Sequence, residues 1–385
     1  MDIFVLNTAF QTVAVIDGFK SFIWTDRYNQ CGDFELVVPM DNTLLSLVQQ
    51  NYYIQCALSD RTMIVETIEL TTGEDDGAFA TFTGRSLESI LERRVVWGYF
   101  VYSGSMQTGI QQLLTKNVIS PSNSNRRISN FTFTSSSITD ITEIEYDFAL
   151  FGENILDVIQ ECCQANDVGF KIVLNSSNQF VFSLYVGNDM SYDQNNLPWV
   201  AFSPSFDNLL SSKYFRTDTN KRTVSMVAGE GESESDRTIV EATVDGGSWD
   251  EYTRITKRRW GYKTNSSGTY TGGSGLDRRE IYTDASGVSK TYRDENDEEQ
   301  TLSDAEYAKQ LIAKGQEELS EYFTTQTFEG ETDYAGQYVY GRDYVIGDIL
   351  QIENEYGLTT AVRVMEVVNT IDESGQSVVP SFTAI

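Results

Sequence analysis

The first hundred residues alternate short apolar runs with turn residues, and this pattern limits the possible folds more than any other feature. Apolar and β-branched residues recur in short segments at 2–7, 12–17, 21–28, 32–39, 52–58, 61–70 and 79–84. Gly, Asp and Asn lie between the segments. Short strands separated by such residues are typical of sandwiches and small barrels. We therefore predict a first antiparallel β-barrel of the tube-like kind over residues 1–97, with a polar hairpin connection at 71–77 and a short helix beginning at Ser86.

The pattern changes over residues 98–212, which we predict to be an α+β insert domain. Segment 107–118 predicts one helix, and segment 153–167 predicts a clearer one with an apolar stripe at three- and four-residue spacing. The stripe consists of Ile155, Val158, Ile159, Cys162 and Cys163. Residues 169–187 then predict a β-hairpin packed on this helix.

Strand patterns return over residues 213–245 and 324–385, including a predicted strand at 336–341. We predict that these two segments form a second tube-like β-barrel. It is interrupted at 246–323 by an extended polar arm and a long helix, which Ser303 and Glu306 open as an S-x-x-E capping box. The predicted fold class is thus β-rich α+β, with two small antiparallel barrels, an α+β insert, and an arm plus helix.

The charge of the chain limits its partners. It has 57 acidic and 28 basic side chains, a formal net charge of -29. Such a surface repels nucleic-acid phosphates, so we expect no stable binding of nucleic acid. The same repulsion would suit a wall past which DNA slides, although simple solubility explains the charge equally well.

The absence of histidine removes large classes of enzyme. With no histidine in the sequence, Ser-His-Asp and Cys-His catalysis and histidine-containing zinc sites are excluded. Carboxylate-pair chemistry survives, but among 57 acids no pair is distinctive. We therefore predict no enzyme activity, no catalytic or cofactor-binding residues, no metal site and no cofactor.

Cysteine usage and the N-terminus indicate a protein folded in a reducing cytoplasm. Cys31, Cys56, Cys162 and Cys163 show no C-x-x-C spacing and are predicted to be buried thiols. The first ten residues lack the basic start and long apolar run of a signal peptide. No segment approaches the roughly 20 apolar residues of a membrane span.

Two sequence motifs suggest ligand binding but fail on inspection. Asp294, Asn296 and Glu298 alternate as in an EF-hand loop. However, Glu299 occupies the position of the turn glycine, and Ala305 that of the bidentate glutamate. The glycine-rich runs 229–231 and 272–275 lack the P-loop pattern. A solvated acidic tip and ordinary turns explain these motifs better.

Basic and aromatic residues near the predicted arm are candidates for contact with a partner. The basic residues are Lys257, Arg258, Arg259, Arg278 and Arg279. They could pair with an acidic patch on a neighbouring subunit, but strand-surface charges are the simpler interpretation. The aromatic residues are Trp249, Tyr252, Trp260, Tyr262 and Tyr270. These could contact sugars or, as we prefer, a partner protein.

Several of these segments resemble one known family. Residues 32–39 (GDFELVVP), 61–70 (RTMIVETIEL) and 83–96 (TGRSLESILERRVV) resemble the opening barrel of siphophage tail-tip proteins, the baseplate hubs or tail-associated lysins. The likeness continues through 153–163 and 207–232 to the ending 341–375, and so covers most of the chain. These motifs specify strands and turns and contain no reactive group.

The resemblance implies a structural role in the virion tail tip, after synthesis in the host bacterial cytoplasm. Family members are similar to the hub of contractile tails. This implies a homotrimer whose two barrels per chain make a pseudo-sixfold ring, matching the sixfold tail tube to a threefold tip and letting DNA pass through its lumen. The implied partners are the distal tail protein ring, the tape-measure protein, and tip or receptor-binding fibre proteins.

Two alternatives to a scaffold remain open at this stage. Many relatives carry an added C-terminal peptidase, lysozyme or fibre domain, whereas this sequence stops at Ile385, just after the second predicted barrel. This ending weighs against a tail-associated peptidoglycan or polysaccharide hydrolase, which is the second hypothesis. That hypothesis predicts a cleft with two facing carboxylates. A host-receptor or carbohydrate-binding module is the third.

Overall fold

The computed structural model describes residues 1–40, 43–73, 77–231, 236–243, 272–293, 299–319, 321–322, 324–332 and 337–384. The chain divides into two compact units. The first comprises Met1–Lys213 and Phe328–Ala384, and the second comprises Tyr214–Thr327. The chain passes from the first unit to the second, and back again, within strands.

Strands predominate over helices among the described residues. The strands are β1 Ile3–Leu6, β2 Thr12–Ile16, β3 Ser21–Arg27, β4 Asp33–Pro39, β5 Tyr53–Cys56, β6 Met63–Gly73, β7 Gly77–Ser86, β8 Phe100–Ser105, β9 Phe131–Thr134, β10 Glu145–Leu150, β11 Gly169–Leu174, β12 Phe180–Tyr185, β13 Ala201–Phe202, β14 Leu209–Thr217, β15 Val224–Ala228, β16 Ile239–Thr243, β17 Glu280–Asp284, β18 Thr291–Arg293, β19 Glu299–Thr301, β20 Thr325–Thr332, β21 Ile349–Glu353, β22 Thr359–Asp372 and β23 Gly375–Ala384. The α-helices are α1 Leu44–Leu47, α2 Met106–Leu114, α3 Thr139–Thr142, α4 Ile155–Ala165 and α5 Asp304–Leu319.

The first seven strands form a continuous antiparallel ladder in the order β3-β4-β7-β6-β5-β1-β2. All seven overlap the predicted segments, but β6 runs on to Gly73 and β7 begins at Gly77, so the connection is shorter than the predicted 71–77. The alternating burial of β4 and β7 explains the period-two pattern. Their inward side chains, among them Phe22, Trp24 and Phe82, form one buried cluster. The antiparallel β prediction for this segment is confirmed, while the strand path of the whole sheet is an open one among the described residues.

The insert packs its helices on two small sheets. β8 pairs with β10, and β11 and β12 form the predicted hairpin, to which β9 adds a parallel strand. The predicted apolar stripe of α4 is confirmed, because Ile155, Val158, Ile159, Cys162 and Cys163 are all buried. The helix begins at Asn154, whose side-chain oxygen accepts the backbone N–H of Leu156 at 2.9 Å.

Two predicted helices in this region differ in type from a simple α-helix. Leu87–Arg93 is a 3-10 helix, and its Leu87, Ile90 and Leu91 pack into the core of the insert. The predicted helix at 107–118 consists of α2 followed by a π-helical turn over Thr115–Ile119. All four cysteines are buried free thiols, as predicted.

The C-terminal strands extend the first ladder through one long strand. Residues 366–372 of β22 pair with β3, residues 359–363 pair with β21, and β23 pairs along both parts. The β22–β23 register shifts between Val364 and Glu366, where β22 changes neighbour. The hairpin loops at 354–357 and 372–375 lie where the sequence predicts them. One antiparallel-dominated sheet therefore unites the two ends of the chain.

The second unit contains its own small sheet and the longest helix. β15 lies between β16 and β17, and α5 covers this sheet. The helix approaches so closely that a Cβ at Gly315 would lie 2.4 Å from the Val227 side chain. The predicted capping box is confirmed. Ser303 N–H donates to the Glu306 carboxylate at 2.9 Å, and Glu306 N–H donates to the Ser303 hydroxyl at 3.3 Å.

The predictions for the C-terminal half have three different outcomes. The strands predicted within 221–245 exist as β15 and β16. Among the described residues β15 pairs with β16 and β17, and neither strand pairs with the C-terminal strands. The strand predicted at 336–341 is wrong over its described part, because Val339 O accepts the N–H groups of Arg342 and Asp343 in a turn. Much of the predicted arm lies outside the described residues.

Candidate functional site

The first unit gathers buried charged and aromatic side chains where the β1–β7 ladder, the insert and the C-terminal strands meet. We call this group the ionic joint. It consists of Asp26, Tyr28, Arg61, Glu88, Asp167, Tyr185, Tyr340 and Arg363. Charged groups inside a protein require partners, and the contacts of each member show how that requirement is met.

The Arg61–Glu88 ion pair is the most deeply buried part of the joint. The two side chains are 1% and 0% exposed, and their charged atoms lie 2.5 Å apart. Arg61 also donates to the Tyr185 hydroxyl at 3.1 Å. The same Glu88 oxygen accepts the N–H of Ile172 on β11 at 2.9 Å. Although burial opposes the charge of Arg61, the Glu88 carboxylate raises its pKa further above the ordinary value. The pair thus attaches the insert to the ladder.

Asp26 is a buried carboxyl that accepts three hydrogen bonds from neutral donors. The Trp24 indole N–H and the Ser59 hydroxyl each lie 3.0 Å from Oδ1, and the Tyr340 hydroxyl lies 3.2 Å from Oδ2. Burial raises the pKa of Asp26, a shift that the nearby Arg61 charge and these hydrogen bonds oppose. The contact with Tyr340 connects the end of β3 to the turn that replaces the predicted strand at 336–341.

The second ion pair of the joint links β22 to the loop after α4. Arg363 donates to the Asp167 carboxylate at 2.8 Å and to Gly347 O at 2.6 Å. Its guanidinium lies 5.1 Å from the centre of the Tyr28 ring, within cation–π range. The Tyr28 hydroxyl donates to Asp167 O at 3.0 Å. The C-terminal strands and the insert are therefore held through one arginine and one tyrosine.

Tyr28 is enclosed by glycines. A Cβ at Gly169 would lie 2.4 Å from its ring, and a Cβ at Gly347 would lie 2.5 Å from it. Gly347 also has φ +92, which L-residues rarely adopt. The Tyr185 and Tyr28 rings meet edge to face, with their centres 5.3 Å apart. Only glycine at these positions lets the tyrosine ring fill the space between the elements.

A cleft of about 560 Å³ opens beside the joint. Its acidic lining residues are Asp26, Asp60 and Asp348, and its basic ones are Arg61 and Lys171. A second cleft of about 310 Å³ lies alongside and shares Ala57, Leu58, Tyr340 and Gly341 with the first. A cleft of this size can hold a small ligand, so its chemistry depends on whether its carboxyl groups are free to react.

Each of the three carboxyls already has internal partners. Asp60 pairs with Lys171 at 2.5 Å. Asp348 accepts the N–H groups of Asn188 at 2.7 Å and Val345 at 2.8 Å, one on each oxygen. Asp26 has the three donors given above. A glycosidase instead needs one carboxyl free to give a proton and another free to attack or to activate water. These contacts favour a structural role for the cleft's charges.

The predicted candidate residues lie elsewhere or outside the described residues. Asp294, Asn296 and Glu298 fall outside them, as do 249–270, the range that holds the five aromatics and the three basic residues 257–259. Within the described part of the chain, no cluster of acidic or cysteine side chains is arranged to hold a metal ion. Of the helices among these residues, none is long and apolar enough to cross a membrane.

Three of the candidate residues, Gly229, Arg278 and Arg279, make contacts within the second unit. Gly229 faces α5, where a Cβ would lie 2.4 Å from the Tyr307 hydroxyl. Arg278 pairs with Glu241 and Glu280, both at 2.6 Å, as expected of strand-surface charges. Arg279 donates to a backbone carbonyl. The ionic joint was not predicted, because no local motif marks residues that are adjacent only in the folded chain.

The fold is that of phage tail proteins. A 43 kDa tail protein of prophage MuSo2 from Shewanella oneidensis matches with a TM-score of 0.56 and 12% identity, over 99% of this chain and 98% of that one. The prophage tail protein gp18 of Listeria monocytogenes EGD-e matches with a TM-score of 0.53 and 12% identity, over 100% and 94%. A tail protein of Neisseria meningitidis MC58 matches with a TM-score of 0.53 and 10% identity, over 99% and 96%.

A family model identifies the particular group within this class. Residues 2–382 match the model of the Siphovirus ReqiPepy6 Gp37-like proteins, and the chain belongs to that family. The resemblance to siphophage tail proteins is therefore confirmed. No curated protein matches the sequence.

Proposed function

We propose that the chain is the structural hub of a phage tail tip. In this proposal three copies form a ring that joins the sixfold tail tube to a threefold tip, and DNA passes through the lumen. The proposed neighbours are the distal tail protein ring, the tape-measure protein, and tip or receptor-binding fibre proteins. The family match over residues 2–382 and the full-length likeness to tail proteins support a tail function.

The observation that carries the proposal is the ionic joint. It ties residues far apart in the sequence into one body, as the pairing of Arg363 with Asp167 illustrates. Its charged groups, and the carboxyls of the adjacent cleft, are engaged with internal partners. This arrangement suits a rigid subunit that transmits position between neighbours, and the carboxyls of this cleft are not the free pair that hydrolysis requires.

The strand order supports two tube-like barrels. The order β3-β4-β7-β6-β5-β1-β2 begins and ends with strands that follow each other in the sequence. The C-terminal strands run β14-β20-β23-β22-β21-β13, and their two end strands are also consecutive in the sequence. A sheet whose end strands are neighbours in the chain can curl to bring them together. We propose barrels of this kind over residues 1–97 and over 324–385 with β13 and β14, and an insert domain over 98–212 apart from these two strands.

The excess of acidic residues gives the ring a second property. With a net charge of -29 per chain, a lumen formed by three copies would repel the phosphates of passing DNA. Stable binding of nucleic acid would hinder ejection of the genome. The proposed hub therefore acts without catalysis, cofactor or metal, at the tip of the virion tail.

The test combines mass measurement with imaging. Light scattering after size-exclusion chromatography should give a mass of three times 43.4 kDa, either alone or after mixing with the distal tail protein. Electron microscopy should then show threefold rings. A chain that stays monomeric in both experiments would refute the ring. Separately, release of soluble fragments from purified cell walls by the protein would refute the non-catalytic part of the proposal.

A further inference from the structure

One face of the insert exposes a group of large apolar and basic side chains. We call it the basic-aromatic patch. It consists of Arg94, Trp97, Tyr99, Val101, Lys116, Arg126 and Phe151. Its apolar members are unusually exposed, at 66% for Trp97, 75% for Tyr99, 77% for Val101 and 59% for Phe151. Grouped exposure of this kind marks interaction surfaces, whereas single exposed apolar residues are common.

The contacts within the patch hold its side chains in place. The Tyr99 and Phe151 rings lie 4.5 Å apart, beside the end of the β8–β10 pair. The Arg126 guanidinium lies 5.0 Å from the centre of the Trp97 ring. Arg94 donates to Arg126 O at 2.8 Å. A surface arranged in advance loses less side-chain entropy on binding than a mobile one.

The three cations of the patch carry charge that no described carboxylate neutralises. Their hydrogen bonds go to neutral oxygens. Lys116 donates to Tyr99 O at 2.6 Å, and Arg126 donates to Val95 O at 2.7 Å. Burial and the positive charge of Arg94 lower the pKa of Arg126. The patch is therefore a local concentration of positive charge on a protein with a net charge of -29.

Basic residues elsewhere in the described part of the chain have several kinds of partner. Arg222, for example, donates to backbone carbonyls and lies over the Tyr322 ring. Many other basic residues meet a carboxylate within ion-pair distance. Examples are Arg27, Arg61, Arg85, Arg278 and Arg363. With two acids for every base, partners are plentiful. The patch instead groups three cations without an ion pair to a described carboxylate beside large exposed aromatic side chains.

We infer that the basic-aromatic patch binds an acidic surface on a second copy of this chain. Each further copy carries the same excess of carboxylates, so copies repel one another except where positive charge is exposed. The patch supplies that charge together with Trp, Tyr and Arg, the residues most often dominant in protein interfaces. The inference rests on the proposed ring and identifies a surface through which its copies meet.

The charge of the patch also determines the type of contact. Two patches facing each other across a twofold axis would bring like charges together. The patch of one copy must therefore meet a different, acidic face of the next. Such a heterologous contact produces closed rings when the rotation between copies permits closure. This is compatible with a cyclic trimer, and it excludes a twofold dimer in which the patch lies on the axis.

The test compares the oligomeric state of three full-length proteins by sedimentation velocity. The patch variant is Tyr99→Ser with Lys116→Glu, and the matched control is Tyr356→Ser with Leu358→Ser, which removes exposed apolar area from a hairpin loop. We expect the patch variant to raise the dissociation constant at least about tenfold and the control to leave it unchanged. Because salt screens the attraction made by the patch, the ratio of the variant's dissociation constant to that of the wild type should fall as salt is added.

Circular dichroism would confirm that both variants fold, and hydrogen exchange would locate the contact. Concentrating the wild type should protect peptides from 93–101, 116–127 and 145–153. If the patch variant associates like the wild type, the inference is overturned while the trimer stands. A wild type that is monomeric at every concentration overturns the inference, and the hub proposal then depends on the mixing experiment. Protection of the patch only on adding heparin, the polyanion probe, would assign it to another ligand and would also overturn the inference.

Discussion

Replacing Arg61 with methionine tests whether the ionic joint holds the first unit together. The substitution removes the cation and leaves the Glu88 carboxylate 0% exposed, with the N–H of Ile172 as its remaining donor. Glu88 Oε2 already has no hydrogen-bond partner among the described residues. Removing one member of a buried ion pair typically costs about 3–5 kcal/mol. Since domains are stable by roughly 5–15 kcal/mol, this loss would be about a fifth or more of the total.

The double variant Arg61→Met with Glu88→Gln isolates the effect of the charge. The glutamine oxygen can still accept the N–H of Ile172, but no buried charge is left unpaired. We therefore expect the double variant to be more stable than Arg61→Met by about 1 kcal/mol or more. Arg342→Met is the control. Its ion pair with Asp343 is on the surface, where such pairs contribute about 0–1 kcal/mol.

The measurement is urea unfolding followed by far-ultraviolet circular dichroism. Because the chain has two compact units, the transition of the first unit should be assigned by hydrogen exchange of peptides from β6 and β11. Two results would refute the reasoning. One is a loss for Arg61→Met no larger than that for Arg342→Met. The other is a double variant that is no more stable than Arg61→Met.

Three further predictions concern the same unit. Gly347→Ala should lower the free energy of unfolding by about 2–5 kcal/mol, because it combines a positive φ with overlap of the Tyr28 ring. Gly341→Ala, with φ +82 but open space, should lose only about 1–2 kcal/mol in the same urea titration. Because burial raises the pKa of Asp26, the protonated side chain stabilises the folded state at low pH. This stabilisation is lost as pH rises through the folded pKa. The stability of Asp26→Asn relative to the wild type should therefore increase from about pH 4 to 7, and a relative stability that falls would contradict this. Finally, all four cysteines should resist a thiol reagent until urea unfolds the chain, since each is buried and burial raises the pKa of every one, that of Cys56 to about 12.

Local patterns in the sequence account for much of the fold. The first seven strands were predictable because their buried and exposed residues alternate and turn residues separate them. The start of α5 was predictable because Ser303 and Glu306 bond within a single turn. In each case the determining residues lie a few positions apart, so the physics is visible in the sequence.

The remaining features depend on contacts that are distant in the sequence. β15 pairs with β17, more than fifty residues further along the chain, and no local signal selected that partner. Residues 336–341 have a strand-like composition, but Tyr340 is used to reach Asp26. The Arg61–Glu88 pair was invisible among 57 acids, since only folding brings the two residues together. The charged site could therefore be identified only from the structure, whereas the strands could be predicted from the sequence.

The pairing of β22 with β3 has a consequence for the synthesis of the protein. Arg27 on β3 pairs with Glu366 on β22, 339 residues later. A ribosome adding roughly 5–20 residues per second takes about 17–68 s to cover that distance. During this time β3 waits with one edge unpaired, open to association with other nascent chains. We therefore expect the yield of folded protein to depend on chaperones and on temperature during translation more than its final stability would indicate.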